Sequence, residues 1–109
     1  MTLSKELKGL FTDREKNKEM MHGDCSVNPT YPYGYGKELE DMGVSYQIED
    51  QYGGEDCGST YYCIWSFAKG GTVCYFQFDG WYQSYHGAEF EDVIEVVPYE
   101  TKVVKYARV

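Results

Sequence analysis

The spacing of apolar residues divides the chain into a helical N-terminal part, residues 1–43, and a strand-rich part, residues 44–109. In residues 2–11, leucines and a phenylalanine recur at helical spacing, which predicts an amphipathic helix. The sequence TDRE follows, with Thr12 as the expected N-cap and a glutamate three positions later, so a second short helix is predicted to start there. After a tyrosine-rich loop, KELEDMG predicts a single helical turn.

From Val44 the pattern changes to a period of two residues, which is typical of strands with one face in water. Four further strands are predicted in TYYCIWSF (60–67), TVCYFQF (72–78), VIEVVP (93–98) and TKVVKYARV (101–109). AKGGT is predicted to be a tight turn between strands 60–67 and 72–78. DGWYQSYHGAEFED (79–92) is predicted to be a long loop. The pattern therefore predicts one α+β domain, in which N-terminal short helices are followed by a five-stranded antiparallel β-meander.

Charge limits the classes of partner that the chain can bind. Eighteen acidic residues against ten cationic ones give a net charge of −8, so the electrostatic footprint for long DNA or RNA is missing. The sequence has no run of about 18 apolar residues and no signal-peptide pattern, so we expect a cytoplasmic protein that does not cross a membrane. Twelve tyrosines stand out, because tyrosine is common on binding surfaces as well as in strands.

Candidate metal ligands and catalytic groups form only weak patterns. His22 and Cys25 are spaced H-x2-C, but the second close pair of ligands that a structural zinc site usually shows is missing. His86 lies near three acidic residues, yet no motif for a nucleophile, a phosphate loop or a metalloprotease appears. We therefore expect no enzyme activity, no metal and no cofactor, and we expect the four cysteines to act as small hydrophobic residues.

Two glycine-containing segments form the candidate ligand site. In DQYGGEDCGSTYY (50–62), adjacent glycines allow backbone N–H groups to hold an anion, although a β-bulge or wide turn explains the same glycines. GWYQSYHG (80–87) supplies aromatic rings, and in a meander it leaves the same end of the sheet. Backbone donors beside stacking rings suit a small nucleotide. The candidate ligand-binding residues are Tyr52, Gly53, Gly54, Glu55, Gly58, Trp81, Tyr82, Ser84, Tyr85, His86 and Lys37.

Three blocks of the sequence resemble a widespread group of small tailed-phage proteins. QYGGEDCGSTYYCIWSF, FDGWYQSYHGAEF and IEVVPYETKVVKY are similar to the group's Q-x-GGE-x-x-G-x-x-Y-Y, G-x-Y-x-S-Y-x-G and E-V-x-P patterns, across residues 44–106. Small phage families of this type often serve in evading host defence. The resemblance implies the anti-CBASS sponge class, oligomers that sequester cyclic dinucleotides such as 3′,3′-cGAMP without cleaving them. On this resemblance we expect an immune-evasion protein that acts in the host cytoplasm as a homo-oligomer.

Two other classes of function stay open. An acidic protein–protein inhibitor would imitate the phosphates of DNA and block the basic groove of a host defence nuclease. The acidic residues that suit this role are Glu38, Glu40, Asp41, Glu49, Asp50, Glu55 and Asp56. A tail-associated virion protein is the third class. The pair Met20–Met21 and the loop 31–35 are predicted to lie at a subunit interface or to cover one face of the sheet.

Overall fold

A computed structural model shows three short helices followed by an antiparallel sheet. It describes residues 2–31, 33–53, 60–83 and 87–98, with only the backbone of Thr60, Tyr82 and Gln83. The elements are α1 (Leu3–Leu10), α2 (Arg14–Met21), α3 (Gly36–Asp41), β1 (Ser45–Tyr52), β2 (Thr60–Lys69), β3 (Thr72–Gln83) and β4 (Gly87–Val96). The α+β class and the antiparallel sheet are confirmed. The fifth strand predicted over 101–109 lies outside the described residues.

The four described strands pair in chain order, each antiparallel to the next. The β2–β3 turn falls where two adjacent glycines were predicted to make it, and Gly70 and Gly71 have φ angles of 56° and 83°. At the other end of the sheet, Tyr52 pairs with Tyr62 and Gln83 pairs with Gly87. The two remaining connections therefore leave the sheet at one end, as the sequence predicted.

The helices cover one face of the sheet and leave the other uncovered. Phe11, directly after α1, is the centre of the core: its ring lies 5.0–5.2 Å from the rings of Tyr35, Phe67, Phe76 and Phe78. All these side chains belong to one buried cluster, which the strands reach through alternate residues. We call the opposite face, which this cluster does not reach, the open face.

The methionine pair of α2 belongs to this core and not to a surface available to another subunit. Met20 and Met21 are both fully buried within the single chain. The indole Nε1 of Trp65 donates to the carbonyl oxygen of Met20 at 2.8 Å, which joins the end of α2 to the middle of β2. The two methionines therefore cover the helix-facing side of the sheet.

The N-cap of α2 differs from the predicted one by one residue. The carboxylate of Asp13, and not the hydroxyl of Thr12, accepts from the backbone N–H groups of Glu15 and Lys16, at 3.0 and 3.2 Å. Thr12 is still part of the turn that ends α1, because its N–H donates to the carbonyl of Leu10. The pattern TDRE contains two good capping residues in succession, and the end of α1 determines which one is used.

The segment 79–92 was predicted as a loop and is mostly strand. β3 continues to Gln83 and β4 begins at Gly87, with a β-bulge between Asp79 and Gly80. The sequence pattern predicts Gly80 in a loop, but this residue is buried: a Cβ atom there would lie 2.1 Å from the Met21 sulfur and 2.3 Å from the Glu89 carbonyl oxygen. Glycine is needed for close approach of α2 and β4, which the sequence pattern does not distinguish from a turn.

Candidate functional site on the open face of the sheet

The described residues include only part of the predicted ligand site. Tyr52 and Gly53 at the end of β1 lie at the same end of the sheet as Trp81 and the backbone of Tyr82 in β3. Six predicted site residues lie outside the described residues: Gly54, Glu55, Gly58, Ser84, Tyr85 and His86. Lys37 is exposed on α3, on the helix side of the sheet, and so it is not on the open face with Trp81.

Gly53 has a structural explanation in its own contacts. Its φ angle is 138°, and a Cβ atom there would lie 2.6 Å from the ring of Tyr61. The hydroxyl of Tyr61 is 3.2 Å from Nδ1 of His22, so this ring is anchored on the helix side. Gly53 therefore allows the end of β1 to pass close over an anchored tyrosine.

The strand pairing decides which side chains share the open face. Its described residues are Ser45, Gln47, Glu49, Asp50 and Tyr52 of β1; Tyr62, Ile64, Ser66 and Ala68 of β2; Val73, Tyr75, Gln77, Asp79 and Trp81 of β3; and Glu89, Asp92, Ile94 and Val96 of β4. Every charged residue in this set is acidic.

The cations of the described chain are elsewhere. Six lie in the helices, and Lys69 lies at the turn between β2 and β3: Lys5, Lys8, Arg14, Lys16, Lys18, Lys37 and Lys69. The two ion pairs found among the described residues, Lys8–Glu95 and Lys16–Glu38, both involve helix cations. The five carboxylates of the open face therefore have no cationic partner on that face within the described residues.

Aromatic rings and carboxylates are interleaved at the loop end of the open face. The rings of Tyr52 and Tyr62 are stacked, with centroids 5.5 Å apart and planes at 15°. The hydroxyl of Tyr62 donates to a carboxylate oxygen of Asp50 at 3.4 Å, and Asp79 is paired with Tyr62 across the sheet. Burial, the charges of Asp50 and Asp79 and the neighbouring tyrosine raise the pKa of Tyr62, so this hydroxyl stays protonated and is available as a donor.

Two arrangements concentrate negative charge on the open face. Asp79 and Asp92 are directly opposite each other on β3 and β4, a like-charge pair that destabilises a sheet. On β1, Glu49 accepts hydrogen bonds from Gln47 Nε2 and Ser66 Oγ, each at 2.7 Å. These bonds lower the pKa of Glu49 and hold its carboxylate in the charged form.

A shallow depression of about 650 Å³ lies beside these carboxylates. Ile64, Tyr75 and Val96 supply apolar surface, and Glu49 and Asp50 lie at its rim. An apolar floor with acidic rim groups suits a lysine or arginine side chain, which can bury its hydrocarbon stem and leave the charged group near a carboxylate. The same arrangement disfavours phosphate.

The described part of the chain offers no assembled metal or thiol chemistry. Among these residues, no group of three or more histidine, cysteine or acidic side chains is placed to hold a metal ion. Cys63 and Cys74 are buried and Cys25 is half-buried, as expected of small hydrophobic residues. Burial raises the pKa of Cys63 to about 12, which keeps this thiol protonated and unreactive. Cys57 lies outside the described residues.

Comparison with known proteins adds no identity. The chain matches no protein-family model, no curated protein and no solved structure. No described helix is long and apolar enough to cross a membrane. The function proposed for this protein therefore depends on the open face itself.

Proposed function

We propose that the protein is a non-catalytic binding protein whose open face docks on a basic surface of a partner protein. The observation that carries this proposal is the absence of any cation among the described residues of a sheet face that holds five carboxylates. Interleaved tyrosine, tryptophan and aliphatic side chains supply contact area, which interfaces need in addition to charge. This proposal corresponds to the acidic inhibitor class, with a host defence nuclease as the expected type of partner.

The open face has the features of a functional surface that the fold does not need. A directly opposed pair of aspartates costs about 0.2–1 kcal/mol of sheet stability. A partner that places a lysine or arginine between Asp79 and Asp92 would turn this repulsion into attraction.

The test compares three neutralising substitutions on the open face of the sheet with three neutralising substitutions in the helix layer. The open-face variant carries Asp50→Asn, Asp79→Asn and Asp92→Asn. The matched control carries Glu6→Gln, Glu15→Gln and Glu19→Gln, at three helix residues outside the acidic set named from the sequence, and changes the net charge equally. Each protein is immobilised, exposed to host lysate, and eluted with salt between about 50 and 300 mM before mass spectrometry.

The expected result is a basic protein that the wild type and the control capture and the open-face variant loses. Retention of the captured protein should fall steeply as the salt concentration rises through this range, and duplex DNA should compete for the captured protein if it is a nuclease. The proposal fails if the open-face variant captures the same protein as the wild type. It also fails if nothing basic is captured at the lowest salt concentration.

A cyclic dinucleotide remains the second candidate ligand, and one observation favours it. The β1–β2 and β3–β4 connections leave the sheet at one end, where the stacked Tyr52–Tyr62 pair and Trp81 offer ring faces for bases. Asp50, Asp79 and Glu89 lie beside those rings and repel phosphate, which places this candidate second. Isothermal titration against a panel of cyclic dinucleotides, with Trp81→Ala as the control, decides it: no heat with any member would end this hypothesis.

A further inference from the structure

The stacked tyrosine pair at the loop end of the open face has one ring surface directed toward the aspartates. Tyr52 and Tyr62 are paired across β1 and β2, and their nearly parallel rings have centroids 5.5 Å apart. Tyr52 therefore covers one surface of the Tyr62 ring, and the opposite surface is directed away from β1, toward β3. Neighbouring strands are about 4.8 Å apart, so the next position in this stack lies above the β3 residue paired with Tyr62, which is Asp79.

Two carboxylates lie at this position beside the Tyr62 ring. Asp79 is beneath it, and Asp92 is directly opposite Asp79 on β4. Nε2 of Gln77 donates to Oδ1 of Asp79 at 2.5 Å, which holds this carboxylate in place and, within the described residues, uses one of its two oxygens. None of the cations of the described chain lies on this face of the sheet. A flat ring surface and an available carboxylate oxygen therefore meet at one point of the open face.

We propose that this position binds an arginine side chain of the basic partner, and that Tyr62 makes the open face select arginine over lysine. The inference deepens the proposed function and rests on it. A guanidinium is planar and weakly hydrated, so it stacks on a tyrosine ring while the N–H groups in its plane donate to a carboxylate. Stacked on Tyr62, it would donate to Asp79 beneath it, and the charge of Asp92 on the next strand would add attraction.

A lysine side chain gains less from the same arrangement. Its ammonium group is a compact and strongly hydrated charge, which is attracted to the two aspartates but neither stacks on the ring nor donates to a carboxylate in a bidentate way. Charge alone therefore does not explain a preference between the two cations, and the ring of Tyr62 does. The basic groove of a nuclease offers suitable side chains, because arginine is the residue that binds phosphate through two parallel hydrogen bonds.

Fluorescence anisotropy with labelled hexaarginine and hexalysine peptides tests the inference on the whole chain. The two probes have equal length and charge, so the net charge of the protein affects both equally. Tyr62→Leu removes the ring beside Asp79, whereas Tyr62→Phe keeps the ring and removes only the hydroxyl. Tyr33→Leu is the matched control, because it removes a ring from the stacked pair Tyr31–Tyr33 in the loop between α2 and α3.

The expected result is a preference that depends on the ring at position 62. The wild type, Tyr62→Phe and Tyr33→Leu should bind hexaarginine roughly tenfold more tightly than hexalysine. In Tyr62→Leu the two affinities should differ by about twofold or less. Asp79→Asn, which leaves the stacked rings in place, should also reduce the preference, because it removes the carboxylate that accepts from the guanidinium.

Three outcomes would overturn the inference, and each is distinct from failure of the proposed function. Equal affinities of the wild type for both peptides would mean that charge alone drives binding, which leaves the proposed docking intact. An unchanged preference in Tyr62→Leu, with its fold verified by circular dichroism, would show that the ring does not select arginine. Binding of neither peptide at low salt would also refute the arginine site, and the capture from lysate then decides the proposed function separately.

Discussion

Replacing Gly80 by alanine tests whether this glycine serves packing or ligand access. The added Cβ atom would lie 2.3 Å from the carbonyl oxygen of Glu89 and 2.1 Å from the sulfur of Met21. The flexible methionine end can rotate away, but the carbonyl belongs to the backbone of the paired strand. An ordinary contact between carbon and oxygen is about 3.3 Å, so β3 and β4 would have to separate by about 1 Å beside the bulge.

The cost of this separation follows from overpacking. Insertion of an atom into a well-packed site costs about 1–3 kcal/mol, and a rigid backbone neighbour places Gly80→Ala near 3 kcal/mol. For a domain of this size, such a loss lowers the melting temperature by roughly 12–20 °C. Urea denaturation followed by tryptophan fluorescence measures the free energy of unfolding, because Trp65 is buried in the core.

Gly9→Ala is the matched control for this substitution. A Cβ at Gly9, in α1, meets nothing within 4 Å, so alanine there should stabilise the helix by roughly 0.5–1 kcal/mol. If Gly80→Ala unfolds at the same urea concentration as the wild type, the packing explanation is wrong, and ligand access becomes the better account of this glycine.

Three further predictions concern the core, the open face and the response to acid. Tyr35→Phe removes the hydroxyl that donates to Asn17 Oδ1 at 2.7 Å and leaves a buried acceptor unpaired, so calorimetry should show a loss of about 1–3 kcal/mol; no loss would mean that water replaces the hydroxyl. Asp92→Asn relieves repulsion from the carboxylate opposite and should stabilise the chain by about 0.2–1 kcal/mol at low salt, with the gain shrinking at about 1 M NaCl; a gain unaffected by salt would contradict an electrostatic cause. Partial burial raises the pKa of Glu38, but the hydrogen bond from Lys16, a hydrogen bond from the backbone of Glu38 and the charges of Lys16 and Lys37 together outweigh burial and hold that pKa below its ordinary value. The pair therefore contributes stability that is present at neutral pH and is lost as the pH falls through the lowered pKa, so unfolding curves of Glu38→Gln should change less than those of the wild type between about pH 6 and pH 3.

The parts of the fold that local pattern determines were predictable from the sequence. Period-two alternation located β1, the aromatic run TYYCIWSF located β2, and the pair Gly70–Gly71 located the turn between β2 and β3. The extent of β3 was not predictable, because Gly80 has the composition signal of a turn. A glycine is needed at position 80 because of a contact with Met21, 59 positions earlier in the chain, and a single sequence does not reveal such a distant contact.

The candidate site was missed for a related reason. With 79–92 interpreted as a loop, Asp79, Glu89 and Asp92 had no assigned face. Continued alternation from Tyr75 through Gln77 and Asp79 to Trp81 was present in the sequence and would have placed these side chains together on one face. The extra residues Glu49 in β1 and Glu91 in β4 shift the alternation of those two strands by one residue, and such bulges arise from pairing between strands.

The distribution of charge also limits how this protein can associate with itself. Two copies that met through their open faces would bring ten carboxylates together with no cation among the described residues of either face. Desolvating so many like charges opposes association far more than the shared aromatic surface favours it. The homo-oligomer predicted from the sequence would therefore use the helix layer or the loop around the exposed Tyr31 and Tyr33. In such an oligomer each copy would keep its open face available for a basic partner, and binding would gain from having several such faces in one particle.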